Sequence, residues 1–445
     1  MSDPTLTYLT PSPSGDALVR QPWMEHSSRT QTGLQRALQA LEWRSSACSE
    51  TVAAVRKDEE PVLPLSAGID EMLAALDQAK GAHIVLHCST RDQYWRAGVS
   101  DVLGMTPILT NLIENRSDEE MLASSRNRLA DVLKEALSCG TSALLLLNLV
   151  SDMAETLHHI AIHQAIQEMG DPPPCPFMFM VMGSEGRNEQ TLKTDQDNAI
   201  VFKGDEEAHQ AYFIRLGDKI NRMLDAYGFD YCRGDIMARN PKWCRNLTAW
   251  KAYFTKWVST PDPMAVMHTT IFFDFRYAYG DAGIGDELRT HLNNLLQKRS
   301  ELFFYHLAQN TIGNAIPLGF FGGFKYPSGV GLDMKKAMLP AVNYARIFAL
   351  KNGISETNTI RRLRLIAGTE HLSKTDAGIL IRHYRALMKV RLEHQIARIL
   401  ERNRTADNFI IPEDYPAETQ AFLKEAFKKM RDLQKRLGTL YRSGY

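Results

Sequence analysis

Residues 177–202 read FMFMVMGSEGRNEQTLKTDQDNAIVF. An apolar run ends in Gly183-Ser184, and about ten residues later Asp195-Gln196-Asp197 opens a second apolar run. Phe177 to Met182 predict a buried strand after a proline cluster. Gly183 permits a tight turn, and Ser184 is placed to cap a helix that follows. Backbone N–H groups at such a helix start suit phosphate oxygens. Arg187, one turn in, adds a charge-assisted donor on the same side, and Glu189 and Gln190 can brace the loop. A second strand is expected from Asp195 to Phe202. Side chains two apart on a strand share a face, so Asp195 and Asp197 are expected to point the same way. Carboxylates held side by side repel each other unless a cation sits between them, and Mg²⁺ (or Mn²⁺), with its preference for oxygen ligands, is the natural guest. The whole unit is suited to holding a nucleoside triphosphate (NTP) against divalent metal, with catalysis by positioning and charge neutralisation.

A two-metal site of this kind usually takes a third carboxylate. The candidate is Asp274 in TTIFFDFRYAYGD (269–281), where Thr270 to Phe275 read as another buried strand. A lone carboxylate in an apolar run is expensive to bury without a partner. Metal ligation or activation of the attacking hydroxyl would supply one; a structural role is the alternative. Arg276, on the same face, is a candidate for holding phosphate or substrate.

The rest of the chain sets the context. With 445 residues, 44% apolar and 23% charged, it is long enough for two or three soluble domains. Lys+Arg and Asp+Glu both total 52. That balance argues against a dedicated nucleic-acid binder held by bulk electrostatics, with a local basic groove as the alternative, so nucleic acid is not the expected partner. Six cysteines form no CxxC pair and no zinc-like spacing, as expected of free thiols in a reducing cytoplasm. The N-terminus lacks the basic and apolar regions of a signal peptide, and no apolar stretch reaches the roughly 20 residues needed to span a bilayer.

Four regions are expected: 1–30, rich in Pro, Ser and Thr and without fixed structure; 31–117, an N-terminal α/β region; 118–280, a catalytic α/β domain with preceding helices; and 281–445, a helical domain. A helix is expected over 31–58. Residues 61–104 read as a short extended piece, a helix, strand His83–His87, a turn and Trp95–Val99. This order resembles half of a CBS-type regulatory module; no second copy is evident, and an ordinary α/β or helical cap is the alternative. Residues 118–169 look helical until Gly170-Asp171-Pro172-Pro173-Pro174 ends them. Later helices are expected near 333–352, 357–367, 374–401 and 416–438, with a loop at 317–331.

The arrangement GSEGRNEQTLKTDQDNAIVF followed by FFDFR resembles the polymerase-β-type nucleotidyltransferase superfamily. More narrowly, it resembles bacterial nucleotidyltransferases often fused to cyclic-nucleotide-binding and CBS domains, relatives of the uridylyltransferase that modifies the signal protein PII. GDIMARNPKWCRNLTAW (234–250), LDMKKAMLPAVNYARIFAL (332–350), TIRRLRLI (359–366) and RLEHQ (391–395) extend the likeness over about residues 120–440. The resemblance implies an α+β fold: a polymerase-β-like core of mixed sheet and helices, flanked by a helical N-terminal region and a C-terminal helical bundle that binds substrate. It implies that Gly183 and Ser184 hold triphosphate, that Asp195, Asp197 and Asp274 hold divalent metal, and that the acceptor is a hydroxyl on a protein, with RNA or a small molecule as alternatives. A module that binds nucleotide without turnover is the non-enzyme alternative. Neither a cyclic-nucleotide-binding domain nor a full CBS pair is evident, which leaves the regulatory input open, and with no His-Asp doublet the phosphohydrolase half of the PII-modifying enzyme is not expected here.

Three further features stay open at this level. Asn240, in Asn240-Pro241-Lys242-Trp243, can select a base or ribose or simply form a helix-entry turn. Lys335 and Lys336 can reach phosphates or form a solvated helix start. His159 and His163, one helical turn apart, permit metal binding, but no third ligand is apparent. His394 is expected to be a core or hydrogen-bonding residue.

Overall fold

The structure is a computed structural model. It describes four strands before residue 100 and then residues 119–138, 143–298, 301–319, 321–402 and 406–442. The chain divides into two units, Met1–Leu157 with Ile399–Arg404, and His158–Arg398 with Thr405–Tyr445. In the first, β1 (Leu6–Tyr8), β2 (Val62–Pro64), β3 (His83–Cys88) and β4 (Gln93–Gly98) form a sheet ordered β1-β4-β3-β2. β3 and β4 pair antiparallel, and each outer strand runs parallel to its neighbour. The strand-forming parts of 61–104 thus match the expectation. Within 1–30, expected to lack fixed structure, Leu6–Tyr8 forms a strand. The rest of that stretch, the expected helix over 31–58 and the helices of the CBS-like order lie outside the described residues.

The expected helical region is two helices, α1 (Glu119–Ser138) and α2 (Ala143–Met169). The second ends at the Gly-Asp-Pro-Pro-Pro run, where proline removes the N–H that a continuing helix needs. No described helix is long and apolar enough to cross a membrane.

The second unit is built on β5 (Phe177–Val181), whose five residues are all buried. A single helical turn, α3 (Gly183–Gly186), leads through a loop to β6 (Asn198–Phe202), equally buried. Then follow α4 (Glu206–Ala226), β7 (Cys244–Asn246), α5 (Leu247–Ser259), α6 (Pro263–Phe272) and β8 (Arg276–Gly280). The sheet order is β7-β6-β5-β8, with β6 and β7 parallel and the other pairs antiparallel. Continuous apolar runs such as FMFMV suit strands covered on both faces. Here α4 packs on β6 and β7, while α7 (Ala282–Lys298) packs on β5 and β8.

The helical remainder comprises α8 (Glu301–Ile312), β9 (Leu332–Asp333), α9 (Met334–Lys351), α10 (Thr359–Leu365), α11 (Lys374–Arg402), β10 (Phe409–Ile410) and α12 (Ala417–Arg442). These match the helices expected from apolar periodicity. α9 is buried nearly all round, packed by α8, α10 and α12. The class is α+β, a small mixed sheet with a helical C-terminal region.

Two local expectations are corrected. The expected strand Thr270–Phe275 is instead the end of α6 and the turn after it. Asp262 caps that helix by accepting from Ala265 N at 2.7 Å, and Pro263 takes its first position, a strong start signal that outweighs the β-prone run. The helix expected between the two strands is only the single turn α3, entered from Met182 without a side-chain cap.

Candidate active site

The turn and the carboxylate pair meet at the end of β5 and β6. Asp195 is held by a parallel bridge to Asp230, with Gln196 N donating to Asp230 O at 2.9 Å. Gln196 turns its side chain away from the pair, and its Nε2 donates to Asn221 O at 3.0 Å and Phe229 O at 2.9 Å. Asn221 Nδ2 in turn donates to Asn198 Oδ1 at 2.9 Å, which also accepts from Ala238 N at 2.9 Å. Buried polar groups satisfied in this way fix backbone strongly. This amide layer sets the direction of Asp195 and Asp197 from behind.

In front of them lies Gly183. Its φ is +59°, and a Cβ there would sit 2.5 Å from Asp197 Oδ2. Glycine is therefore required twice, for the left-handed backbone and for the close approach. Lys335 reaches Asp195 from the first turn of α9, with Nζ 3.4 Å from Oδ1. That placement opposes the helix dipole, which favours anions at an N-terminus; Asp333, one residue before α9, caps it by accepting from Lys336 N at 3.1 Å. Cys232 completes the group: its thiol hydrogen-bonds Asp197, and ligand atoms of Asp195, Asp197 and Cys232 all lie within 4.8 Å of one another.

The electrostatics of this corner are short of positive charge. Burial and the neighbouring Asp195 push the Asp197 carboxyl up to about 6, with Lys335 and the Cys232 thiol working the other way. The Cys232 thiol is itself pushed up to about 11 by burial and by Asp197. A divalent cation relieves such a carboxylate pair, and oxygen donors at this separation suit a hard ion. The residues present fit the divalent metal that the resemblance implies.

Asp274 is elsewhere and differently surrounded. It has no exposed surface, and three guanidiniums enclose it. Arg346 Nε lies 3.2 Å from both oxygens, Arg362 Nη1 donates to Oδ1 at 2.7 Å, and Arg187 Nη1 donates to Oδ2 at 3.0 Å. Burial alone would raise this carboxyl, but Arg346, Arg362 and Arg187 hold it well below the usual carboxylate range. Behind it, Arg289 donates to Phe273 O at 3.0 Å and Phe275 O at 2.6 Å, its guanidinium 3.8 Å from the centre of the Phe275 ring. The expected third ligand is thus not brought to the pair, because both of its oxygens are committed to arginine.

Arg187 shares that fate. It pairs with Glu189 at 2.9 Å as well as with Asp274, so it braces the loop rather than standing beside Gly183 as a free phosphate donor. Glu189 is the brace the sequence suggested. It accepts from Thr359 N at 2.6 Å and from the Tyr384 hydroxyl at 3.0 Å. Thr357 Oγ1 and Asn358 Nδ2 add bonds to the carbonyls of Gly186 and Arg187, at 2.7 and 3.0 Å. Ser184 lies inside α3, half-buried, its carbonyl accepting from Glu189 N at 2.9 Å.

Arg276 opens β8 beside Val181, at the strand end from which the Gly183 turn departs, but it follows Asp274 in a turn and shares no strand face with it. Asn240 is absorbed by its own loop: its Nδ2 donates to Asp235 Oδ2 at 2.9 Å and its Oδ1 accepts from Lys242 N at 3.0 Å. This is the turn alternative, not a base-reading pose. His159 and His163 stack edge-on against Tyr279. His394 pairs with Asp407 at 2.8 Å. Among the described residues, the one group able to hold a metal is Asp195, Asp197 and Cys232.

The residues that sequence reading missed are Cys232, Arg346 and Arg362. Of these, Arg346 carried a signal. Arg346 is a lone charge in AVNYARIFAL as Asp274 is in IFFDF, and lone opposite charges in apolar runs are natural partners.

The family model for putative nucleotidyltransferase DUF294 matches residues 127–264, and that for the putative nucleotidyltransferase substrate binding domain matches residues 301–441. No curated protein matches the chain.

Proposed function

Since the chain belongs to the putative nucleotidyltransferase family, we propose that it moves a nucleoside monophosphate group from an NTP onto a hydroxyl, with Asp195 and Asp197 holding Mg²⁺ or Mn²⁺. The observation that carries this reading is the corner itself: two carboxylates, a glycine turn closed against one of them, and a lysine from the helical domain against the other. The divalent ion, when bound, neutralises charge on the phosphates and orients them for in-line displacement.

The chain's own residues do the rest. Gly183 lets the backbone approach the phosphates without a side chain in the way, and Ser184 lines the same turn. Lys335 exchanges Asp195 for a phosphate oxygen when the triphosphate enters. Arg276, beside the turn, is the second cationic group proposed to meet phosphate. The attacking hydroxyl forms a bond to the α-phosphorus as the bond to pyrophosphate breaks, and its proton passes to a carboxylate oxygen of the pair. Asp274 acts at a distance, by clamping the arginines and the motif loop in place.

A protein hydroxyl in the cytoplasm is the proposed acceptor. The resemblance to the PII-modifying uridylyltransferase supports it, and the balanced charge of 52 basic against 52 acidic residues disfavours a long RNA track. The test is incubation of the chain with α-labelled NTPs, Mg²⁺ or Mn²⁺ and cell extract. Label is expected on a protein band with the wild type and not with Asp195→Ala/Asp197→Ala. Tight NTP binding with no pyrophosphate release under any acceptor would replace this reading with a nucleotide-binding module.

A further inference from the structure

Cys232 is not a residue that a site for a hard ion requires. Mg²⁺ sites are built from oxygen, and thiolate ligands select softer ions. Yet the Cys232 sulfur stands with the two carboxylates in one group of donor atoms, none more than 4.8 Å from another. Its position is fixed by backbone: the Asp195–Asp230 bridge brings the chain alongside the pair, and Cys232 follows two residues later. Gly234 and exposed Arg233 come next, so the sulfur lies near solvent, half-buried.

Resting on the metal-site reading above, we propose that Cys232 is a ligand of the Asp195–Asp197 ion site and sets its metal preference. The site then takes thiophilic divalent ions, Zn²⁺ foremost, on two carboxylates and a thiolate, and Zn²⁺ so held competes with Mg²⁺ and inhibits transfer. The geometry needs little adjustment. Around a tetrahedral ion with Zn–S of about 2.3 Å and Zn–O of about 2.0 Å, donor atoms lie about 3.5 Å apart. Side-chain rotations of Asp195 and Cys232 close the remaining distance. As the sulfur–metal bond forms, the thiol proton leaves to solvent, and no oxidant or reductant is needed. Three protein donors leave the fourth position to water or to a phosphate oxygen, so the same ion can sit where NTP phosphates enter.

The experiment titrates the full-length chain with Cd²⁺ alone, following the ultraviolet thiolate-to-cadmium charge-transfer band, and with Mn²⁺ by its paramagnetic resonance signal. Three proteins are compared: wild type, Cys232→Ser and Asp195→Asn/Asp197→Asn. Cys232→Ser is expected to lose the band and weaken Cd²⁺ binding by roughly 100-fold, since even groups behind metal ligands are worth roughly 10–100-fold. It is expected to hold Mn²⁺ within a few-fold, which also reports an intact site. Cd²⁺ binding and the band unchanged in Cys232→Ser would overturn the proposal while leaving the carboxylate site standing. Mn²⁺ binding unchanged in Asp195→Asn/Asp197→Asn would instead remove the metal-site reading itself.

Discussion

Two carboxylate environments sit within one unit of this protein, and they are opposites. Asp195 and Asp197 face each other at a half-exposed corner with one lysine for company, and burial together with Asp195 pushes the Asp197 carboxyl up to about 6. Asp274 is sealed among three arginines and held far below the usual range. A carboxylate waiting for a cation and a carboxylate that already has its cations are chemically the same group. What separates them is the surplus or deficit of positive charge around each. The pair is short of positive charge, and Asp274 is saturated with it.

The comparison breaks most visibly in stability. Asp274→Asn leaves Arg346 and Arg362 buried without their counter-charge, and breaking a buried ion pair costs about 3–5 kcal/mol. Chemical denaturation should register that loss, whereas Asp197→Asn, which removes a repulsion, should leave stability unchanged or higher. If the two substitutions destabilise equally, the contrast is wrong. Lys335→Ala tests the corner from the other side. Charged hydrogen bonds are worth about 1.5–3 kcal/mol, so KM for NTP should rise roughly 10–100-fold, with Lys335→Arg recovering part of it; steady-state kinetics at fixed metal decides. The mildest effect is in pH. A proton and a cation compete for Asp197, so divalent-ion affinity measured by calorimetry should fall as pH drops through about 6, by roughly tenfold per unit below it. Asp274 runs the other way: with its proton affinity lowered by folding, its stabilising contribution is present at neutral pH and fades only as strong acid approaches.

Much of this was legible in the residues. The meeting of Asp195-x-Asp197 with the Gly-Ser turn could be read ahead because the contact is local. α9, α11 and α12 were read to within a few residues because their apolar spacing is long and regular. Residues 270–275 were misread because a short apolar run suits helix and strand alike, and Asp262-Pro263, the signal that decides it, lies outside the run. The role of Asp274 was illegible for another reason. Its partners Arg187, Arg346 and Arg362 are 87, 72 and 88 residues away in sequence, and only folding brings them together. Cys232 gave no signal because a thiol becomes a ligand candidate only when carboxylates stand beside it.

The stitching of residues 186–189 to α10 and α11 has a mechanical consequence. Gly186, Arg187 and Glu189 are bonded to Thr357, Asn358, Thr359 and Tyr384, and Asp274 is locked to α9 and α10. A hinge between sheet and helices would strip two guanidiniums, Arg346 and Arg362, of their counter-charge at once. On the nucleotidyl-transfer reading proposed above, the slot therefore does not work as a jaw. Its backbone is a fixed socket, and entry of substrate is a matter of side chains giving way, the Lys335 contact with Asp195 first.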